Sequence, residues 1–382
     1  MNSPAQNPGA DLAQWIPRLL NVWRRAGHRA PGAPDRLNSV EAAQIAMAVQ
    51  TLSQGLTRDR DLAGAKYFSD PFLLGAYLLY YWPLSYLQAR QLLRTLPKAP
   101  QTVLDLGSGP GPVGAAAWDA GAKTVTFADR SQGALALVKK LAAQAGKNAE
   151  IRHWDPLTRP ELPPGRFDCI LAGHLLNELW NDEQDRVAKR VKLISPWLER
   201  LQPGGTLVLL DPALTSTSRD LMAVRDRLVA QGVPLLYPCL QPGPCPALNK
   251  PGETCHIEET WELPPLVRDL VRRLKFKKDA LKMSAFIFGA PGINPPPMSP
   301  DIFRIVSDPL LSKNRRVRLL ACGISGRLSL ALKPELATPE NRNFLTLRRG
   351  DVVRVTGAVP REGGLDLVPG SRVEPVSRLR PR

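Results

Sequence analysis

Cysteine is scarce in this sequence, with five among 382 residues. So few cysteines in so long a chain exclude the small secreted proteins that depend on a disulfide framework. The first ten residues contain neither a basic stretch nor an apolar one, so we predict no secretory signal. No internal repeat is present, and the 38 prolines and 29 glycines are too few for a low-complexity chain.

Long apolar runs are also missing, with one partial exception. Between Asp70 and Arg90, nineteen residues carry no charge, but Pro83, four tyrosines and two further polar residues interrupt the run. We therefore predict a buried helix pair broken near Pro83 and no membrane partner. These absences together predict a soluble, cytoplasmic and monomeric protein.

Acidic residues are fewer than basic ones. The sequence has 35 Asp and Glu but 51 Lys and Arg, which gives a formal net charge of +16. The excess is concentrated: Pro264–Lys282 carries +5 and Lys313–Arg382 carries +9. One interpretation is a solvated basic face. The concentration of the positive charge in the C-terminal part favours a second interpretation, in which this surface binds RNA or DNA.

The order of the predicted elements indicates three regions. Residues 1–100 are predicted to be helical, residues 101–290 to alternate strands with helices, and residues 301–382 to form a small, basic, β-rich domain. The predicted strands of the middle region are Thr102–Leu106, Thr124–Ala128, Glu150–Trp154, Phe167–Ala172 and Gly205–Leu210. Strands that alternate with helices predict an α/β fold with a parallel sheet covered on both faces.

A glycine-rich turn follows the first of these strands. The segment Val103–Gly111 reads VLDLGSGPG, so a strand ends in an acid and three alternate glycines before a helix opens. Such glycines let a ligand approach the backbone, and the helix start offers free N–H groups. Acids also end the next two strands, where they suit a ribose and an adenine amino group. The predicted cofactor residues are Asp105, Gly107, Gly109, Gly111, Asp129 and Asp155.

This order of acid, glycines and two further acids resembles the class I S-adenosylmethionine-dependent methyltransferases more than the dinucleotide-binding dehydrogenases. A dinucleotide site and a turn without ligand are the alternatives. After the fourth strand, His174, Asn177 and Glu178 would lie near the transferred methyl group. Asn177 and Glu178 are weak catalytic candidates, His174 is interpreted as a satisfied polar residue, and Cys169 as part of the core.

The other four cysteines lie beyond the predicted sheet. Cys239, Cys245 and Cys255 share one loop rich in proline and glycine, and Cys322 begins the β-rich tail. Their spacing is not that of a zinc ribbon, but a polar loop with three thiols is typical of a metal centre. Thiolates suit zinc and an iron–sulfur cluster equally. The fourth ligand is Cys322 or, as an alternative, His256.

Five motifs in order resemble a known family. They are the helical segment Tyr67–Leu96, the loop Asp105–Gly111, the cysteine loop 238–256, the strand Lys282–Phe286 and the late Cys322–Ile324. This arrangement resembles the methyltransferase-like assembly factors of the mitochondrial small ribosomal subunit and their bacterial relatives. The loop reads Pro-Cys-Leu-Gln where the family has Pro-Cys-Pro-His, and the gap between the second and third cysteines is longer.

The resemblance implies a class I methyltransferase fold and a [4Fe–4S] cluster, with Cys239, Cys245, Cys255 and Cys322 as its ligands. It also implies a partner, the small ribosomal subunit with its 16S rRNA. The first predicted function is thus an rRNA methyltransferase-like protein that acts in ribosome assembly. The alternatives are an assembly factor that binds S-adenosylmethionine without catalysis, and a zinc-containing methyltransferase with a substrate other than RNA.

Overall fold

The computed structural model describes residues 8–55, 70–259, 261–276, 279–295, 299–312 and 314–376. These residues divide into two compact units. The first unit takes the described residues of 1–186, 193–210 and 260–281, and the second takes those of 187–192, 211–259 and 282–382. The domain boundaries drawn from the sequence at residues 100, 290 and 301 stay predictions.

The N-terminal part of the first unit is helical, as predicted. Its helices are α1 (Pro8–Ala13), α2 (Ile16–Ala26), α3 (Ser39–Ser53), α4 (Pro71–Ala76), a π-helix (Tyr77–Tyr81) and α5 (Trp82–Leu93). Helix α3 begins with a capping box, in which Asn38 and Glu41 each accept the other's backbone N–H. Stacked and tilted rings of Trp15, Trp82 and Trp118 pack within the unit.

The predicted break near Pro83 is wrong. The chain is helical from Pro71 to Leu93, and the π-helix Tyr77–Tyr81 lies directly before the proline. Pro83 falls in the first turn of α5, where its missing N–H costs no helical hydrogen bond. Tyr67 to Ser69, the start of the predicted helical segment, lie outside the described residues. No helix within the described ranges is long and apolar enough to cross a membrane.

Five parallel strands form the sheet of the first unit, in the order β3-β2-β1-β4-β5. The strands are β1 (Thr102–Leu106), β2 (Thr124–Asp129), β3 (Ala149–His153), β4 (Phe167–Gly173) and β5 (Leu201–Asp211). The helices are α6 (Pro112–Asp119), α7 (Gln132–Ala145) and α8 (Arg186–Glu199) between the strands, and α10 (Pro265–Leu274) later in the chain. Strands β1 and β4 are almost entirely buried because both lie inside the sheet.

The second unit begins with α9 (Thr215–Ala230). Three strands follow: β6 (Leu235–Tyr237), β7 (Ile257–Glu259) and β8 (Leu281–Gly289), and β6 is antiparallel to β8. The cysteine loop lies between β6 and β7, and its regular structure is a 3-10 turn over Pro246–Asn249.

A second sheet forms from Ile302 onward, in the order β14-β15-β12-β11-β9-β13-β16, with β10 beside β11. Its strands are β9 (Ile302–Ile305), β10 (Leu310–Leu311), β11 (Val317–Gly323), β12 (Gly326–Leu332), β13 (Val352–Thr356), β14 (Val359–Arg361), β15 (Gly364–Leu367) and β16 (Arg372–Pro375). Alternate residues face a core that includes Leu319, Leu330 and Phe344. The predicted fold class, an α/β protein with a helical N-terminal segment and a β-rich C-terminal part, is confirmed.

Candidate functional site

The glycine loop joins the buried end of β1 to helix α6. Gly107, Gly109 and Gly111 have φ angles of +64°, +53° and +80°, in the left-handed region that side chains rarely adopt. A Cβ on Gly111 would lie 2.9 Å from the Phe127 ring, and one on Gly107 would lie 2.7 Å from Leu175. Glycine is therefore required twice, once by backbone conformation and once by lack of space.

Asp105 lies beneath this loop. One carboxylate oxygen accepts a hydrogen bond of 2.8 Å from the N–H of Gly114, in the first turn of α6. Its other oxygen is buried and has no hydrogen-bond partner in the described part of the chain. Burial raises the pKa of Asp105 to about 8, against the effect of the Gly114 hydrogen bond and with a further rise from the charge of Asp129. Asp105 thus fixes the start of α6 below the loop.

Asp129, at the end of β2, is bound to the loop itself. Its two carboxylate oxygens accept 2.8 Å and 2.7 Å hydrogen bonds from the N–H groups of Gly109 and Ser131. Burial raises the pKa of Asp129, although both hydrogen bonds favour its ionised form. Asp155 is placed differently, since its carboxylate accepts from the N–H of Leu157 in a local turn after β3. The described residues include no hydrogen bond from Asp155 to the glycine loop.

The weak catalytic candidates, Asn177 and Glu178, lie on a 3-10 turn directly after β4 and are half-buried. Sequence reasoning missed their neighbour Tyr77, which belongs to the π-helix. Burial raises the pKa of Tyr77, and the charges of Glu178, Asp129 and Asp105 raise it further. The π-helix therefore places Tyr77 where the charges of these three carboxyl groups act on it. A local π-helix leaves no sequence pattern that would have revealed this.

His174 has a left-handed backbone, with φ of +58°, at the end of β4. Its Nε2 lies 3.0 Å from the side-chain oxygen of Gln88, and burial lowers the pKa of His174 to about 4. The imidazole is thus neutral at physiological pH and has a polar partner, which supports its interpretation as a satisfied polar residue. Cys169 is buried inside β4, where burial raises its pKa to about 12 and makes it a core residue.

The four remaining cysteines line one cavity of the second unit. This cavity contains about 680 Å³ of space, part of it open to solvent. Besides Cys239, Cys245, Cys255 and Cys322, its lining includes Met222 and four arginines. Burial raises the pKa of Cys239, Arg225 opposes this rise, and the other three cysteines add to it. The structure therefore brings together thiols that lie up to 83 residues apart in the sequence.

Two arginines of α9 hold the cysteine loop. Arg225 is buried and donates hydrogen bonds to the carbonyl oxygens of Gln241 and Gly243, between the first two cysteines. Arg219 donates to four carbonyl oxygens of the segment that follows, at distances between 2.7 and 3.2 Å: those of Ala247, Leu248, Lys250 and Glu253. The Asp226 carboxylate accepts from the N–H of Cys245 at 2.8 Å. Side chains of one helix thus fix six carbonyl groups and one N–H group of the cysteine loop.

His256 lines the same cavity, but its ring is engaged elsewhere. Nε2 lies 3.3 Å from a carboxylate oxygen of Glu258, which also pairs with Arg349 and Lys282. Burial lowers the pKa of His256, and the charge of Arg349 lowers it further. Within the ranges that the structure describes, no three His, Cys, Asp or Glu side chains are arranged as they stand to hold one metal ion.

Comparison with known proteins gives a domain match. A family described as a methyltransferase domain matches residues 103–205, which include the glycine loop and strands β1 to β4. No curated protein sequence matches the chain.

Several solved structures are similar. A methyltransferase from Pyrococcus furiosus is 13% identical, with a TM-score of 0.36, over 54% of this chain and 82% of that one. A ribosomal protein L11 methylase from Lactobacillus delbrueckii subsp. bulgaricus is 21% identical, with a TM-score of 0.30, over 40% and 69%. TrmN from Thermus thermophilus is 19% identical, with a TM-score of 0.35, over 56% and 53%.

The domain match falls on the part of the chain where the strand order β3-β2-β1-β4, the left-handed glycines and the acid at the end of β2 occur together. These residues form a methyltransferase domain with the class I, S-adenosylmethionine-dependent methyltransferase fold.

Proposed function

We propose that this protein binds S-adenosylmethionine over the glycine loop, carries a [4Fe–4S] cluster in the cysteine cavity and acts on the small ribosomal subunit. The main observation behind the proposal is that the four cysteines outside the parallel sheet line one cavity, in a chain that also has a methyltransferase domain. Neither feature alone indicates more than a general class of protein. Together they favour the assembly-factor function that the sequence motifs imply.

The glycine loop fits S-adenosylmethionine by its chemistry. Its three left-handed glycines turn the chain into the start of α6, where backbone N–H groups favour a carboxylate. Asp129 is held at the loop by Gly109 and has lone pairs left for ribose hydroxyls, since each carboxylate oxygen accepts more than one hydrogen bond. Asp105 supports the loop from below rather than contacting the cofactor.

Bound S-adenosylmethionine supplies an activated methyl group. The chain's own contribution would be to position a nucleophile and exclude water from the site. The charges of Glu178, after β4, and of Asp129, at the end of β2, both act on Tyr77 of the π-helix. Because burial and the carboxylate charges raise the pKa of Tyr77, its hydroxyl stays protonated and keeps its capacity to donate one hydrogen bond.

The cysteine cavity fits an iron–sulfur cluster through its donor set. Four half-buried cysteines line it, and thiolates are the usual ligands of such clusters. A zinc ion binds thiolates at about 2.3 Å, which brings the sulfurs to within about 4 Å of one another. A four-iron cluster takes one thiolate at each iron, so its ligand number matches the four thiols of the cavity.

The basic charge of the C-terminal part supports an RNA partner. Five exposed arginines there form no ion pair within the described residues: Arg315, Arg318, Arg342, Arg348 and Arg372. Other arginines of the same sheet are already neutralised, as Arg354 is by Asp301. Unpaired exposed arginines are available for phosphate, and phosphate contacts make binding depend on salt.

The experiment that tests this function is methyl transfer from labelled S-adenosylmethionine to small ribosomal subunits from a strain that lacks the protein. Label in 16S rRNA at one position, absent when Asp129→Ala protein is used, would support catalysis. Specific binding of the subunit without label would instead support the assembly factor without catalysis. Failure to bind the subunit at all would contradict the proposal.

A further inference from the structure

Arginines are concentrated around the cysteine cavity. Arg225, Arg304, Arg327 and Arg349 all line it. In two of them, Arg225 and Arg327, the Nε atom is buried without a hydrogen-bond partner in the described residues. The Nε atom of Arg349 lies 3.4 Å from a carboxylate oxygen of Glu258. Outside this cavity, Arg29 is the only described arginine with a buried Nε atom that lacks a partner. A buried donor without an acceptor is costly, so two at one cavity indicate an acceptor other than the protein.

Two of these arginines flank Cys322 in the sheet. In the strand register, Cys322 of β11 pairs with Arg304 of β9 on one side and with Arg327 of β12 on the other. Paired residues of neighbouring strands project to the same face of a sheet. The thiol therefore lies in a row between two guanidinium groups, on the face that lines the cavity.

The charges of these arginines are compensated unequally. Arg349 lies between the carboxylates of Glu258 and Asp308. Arg327 has one partner, Glu253, at 2.9 Å. Arg304 stacks 4.8 Å from the centre of the Tyr237 ring and donates to its hydroxyl, and it forms no ion pair in the described part of the chain. The cavity thus retains net positive charge beside the thiols, chiefly from Arg304.

A cluster held by four thiolates carries net negative charge, and reduction makes that charge more negative. Nearby positive charge and N–H donors at the sulfurs therefore stabilise the reduced state more than the oxidised state. Burial strengthens the effect, because charges interact more strongly where water is excluded. The arrangement around Cys322 should raise the reduction potential.

We propose that Arg304 and Arg327 are counter-charge residues of the cysteine cavity, which raise the reduction potential of the cluster and donate hydrogen bonds to its sulfurs. This inference rests on the cluster proposed above. Arg225 is left out of the test because its hydrogen bonds to Gln241 and Gly243 hold the cysteine loop.

The test is a mediated redox titration of anaerobically purified full-length protein, followed by visible absorption and electron paramagnetic resonance. Arg327→Gln and Arg304→Gln should each make reduction about tenfold less favourable, a fall of about 59 mV for one electron. Arg327→Lys keeps the charge but loses the planar donor group, so its potential should lie between those of Arg327→Gln and the wild type.

Two matched controls accompany these variants. Arg361→Gln removes an arginine of the same sheet that is held by Asp366 and Ser329, away from the cavity lining, and should leave the potential unchanged. Glu253→Gln removes the carboxylate partner of Arg327, so the potential should stay or rise.

Wild-type iron content separates the two proposals. If the wild-type protein holds the cluster and both glutamine variants keep its potential, the counter-charge inference is wrong while the cluster stands. If the wild type binds no iron, both are wrong. If one variant fails to fold, the other still decides, because Arg304 and Arg327 come from different strands.

Discussion

The glycine loop and the cysteine cavity are built in opposite ways. The loop is local: Asp105, Gly109, Gly114 and Asp129 lie within 25 residues, and backbone N–H groups tie both carboxylates to it. The cavity collects thiols from a loop and a distant strand, and arginine side chains of another helix hold that loop. The first site forms wherever its strand and helix form. The second needs the fold of a whole unit.

This difference explains what the sequence could predict. The loop's residues, its strand and its helix follow from a contiguous pattern, and the strands β1 to β5 were predicted to within a few residues at most ends. The three thiols of one loop predicted a metal centre, but its fourth ligand was left between Cys322 and His256, because nothing local connects Cys322 to Cys239. Arg225, Arg304 and Arg327 went unnoticed for the same reason. A lone arginine in a helix or strand looks like a solvated charge until its neighbours in space are known.

Other features were hidden for different physical reasons. The π-helix that places Tyr77 near Glu178 depends on packing, which sequence periodicity does not record. Strand β9 has four residues and β10 has two, too few to give an alternating pattern. Asp155 was expected at the cofactor, yet the structure gives its carboxylate a local turn partner, Leu157, so its role in adenine binding stays a prediction.

The largest expected effect is the loss of bound iron from the cysteine cavity. Cys322→Ser should lose most of the bound iron, since one thiolate ligand disappears from a set of four. The strand β11 pairs with β9, β10 and β12, so the sheet itself should persist. Iron and sulfide per chain, measured after anaerobic purification, check this.

Cys169→Ser is the matched control, because Cys169 is buried in β4 of the other unit. It should keep the iron even if it loses some stability. Full iron retention in Cys322→Ser would move the fourth ligand to His256 or to a group from outside the chain.

The next-largest expected effect is a loss of folding stability on substitution in the glycine loop. Gly111→Ala should reduce the free energy of unfolding by roughly 2–4 kcal/mol, because it adds left-handed strain and overpacks Phe127. Gly146→Ala is the matched control. Gly146 has a similar φ of +63°, but a Cβ there would meet nothing within 4 Å. The control should cost only about 1 kcal/mol. Urea denaturation measures the free energy of unfolding of both variants. Equal losses would show that the close approach of a Cβ to the Phe127 ring does not contribute to the effect of Gly111→Ala.

A third effect concerns Asp105 and pH. An unfolded aspartate has a pKa near 3.8, whereas burial raises the pKa of Asp105 to about 8 in the folded chain. Between these values the folded state holds a proton that the unfolded state has lost, so stability should fall as pH rises from about 4 to about 8. The expected slope is as much as about 1.4 kcal/mol per pH unit.

Asp105→Asn should remove this part of the slope while its side-chain oxygen still accepts from Gly114. Denaturation at pH 5 and pH 8 measures this slope. An unchanged slope in Asp105→Asn would mean that Asp105 is ionised in the folded protein.

A smaller effect is expected on cofactor binding at the glycine loop. Asp129→Ala should weaken S-adenosylmethionine binding by about 1–3 kcal/mol, the cost of losing charge-assisted hydrogen bonds. Isothermal titration calorimetry measures it, with the iron content expected to stay constant because the cysteines lie in the other unit. Unaltered affinity would remove Asp129 from the cofactor site.

The smallest expected effect concerns RNA. Arg315→Gln with Arg318→Gln should lower the slope of log affinity against log salt by about 1 to 2, roughly one for each phosphate that the variant no longer neutralises. Fragments of 16S rRNA in filter binding at several salt concentrations measure this. Arg354→Gln, which removes an arginine already paired with Asp301, should change the slope less. Equal slopes in all three proteins would place the RNA surface elsewhere.

The most direct test of the account is the metal content of the wild-type protein purified without oxygen. We predict brown protein with about four iron and four sulfide per chain and a broad absorption near about 400 nm, as thiolate-bound clusters show. Colourless protein with stoichiometric zinc, or with no metal at all, would contradict the central claim that the four cysteines of the cavity hold an iron–sulfur cluster.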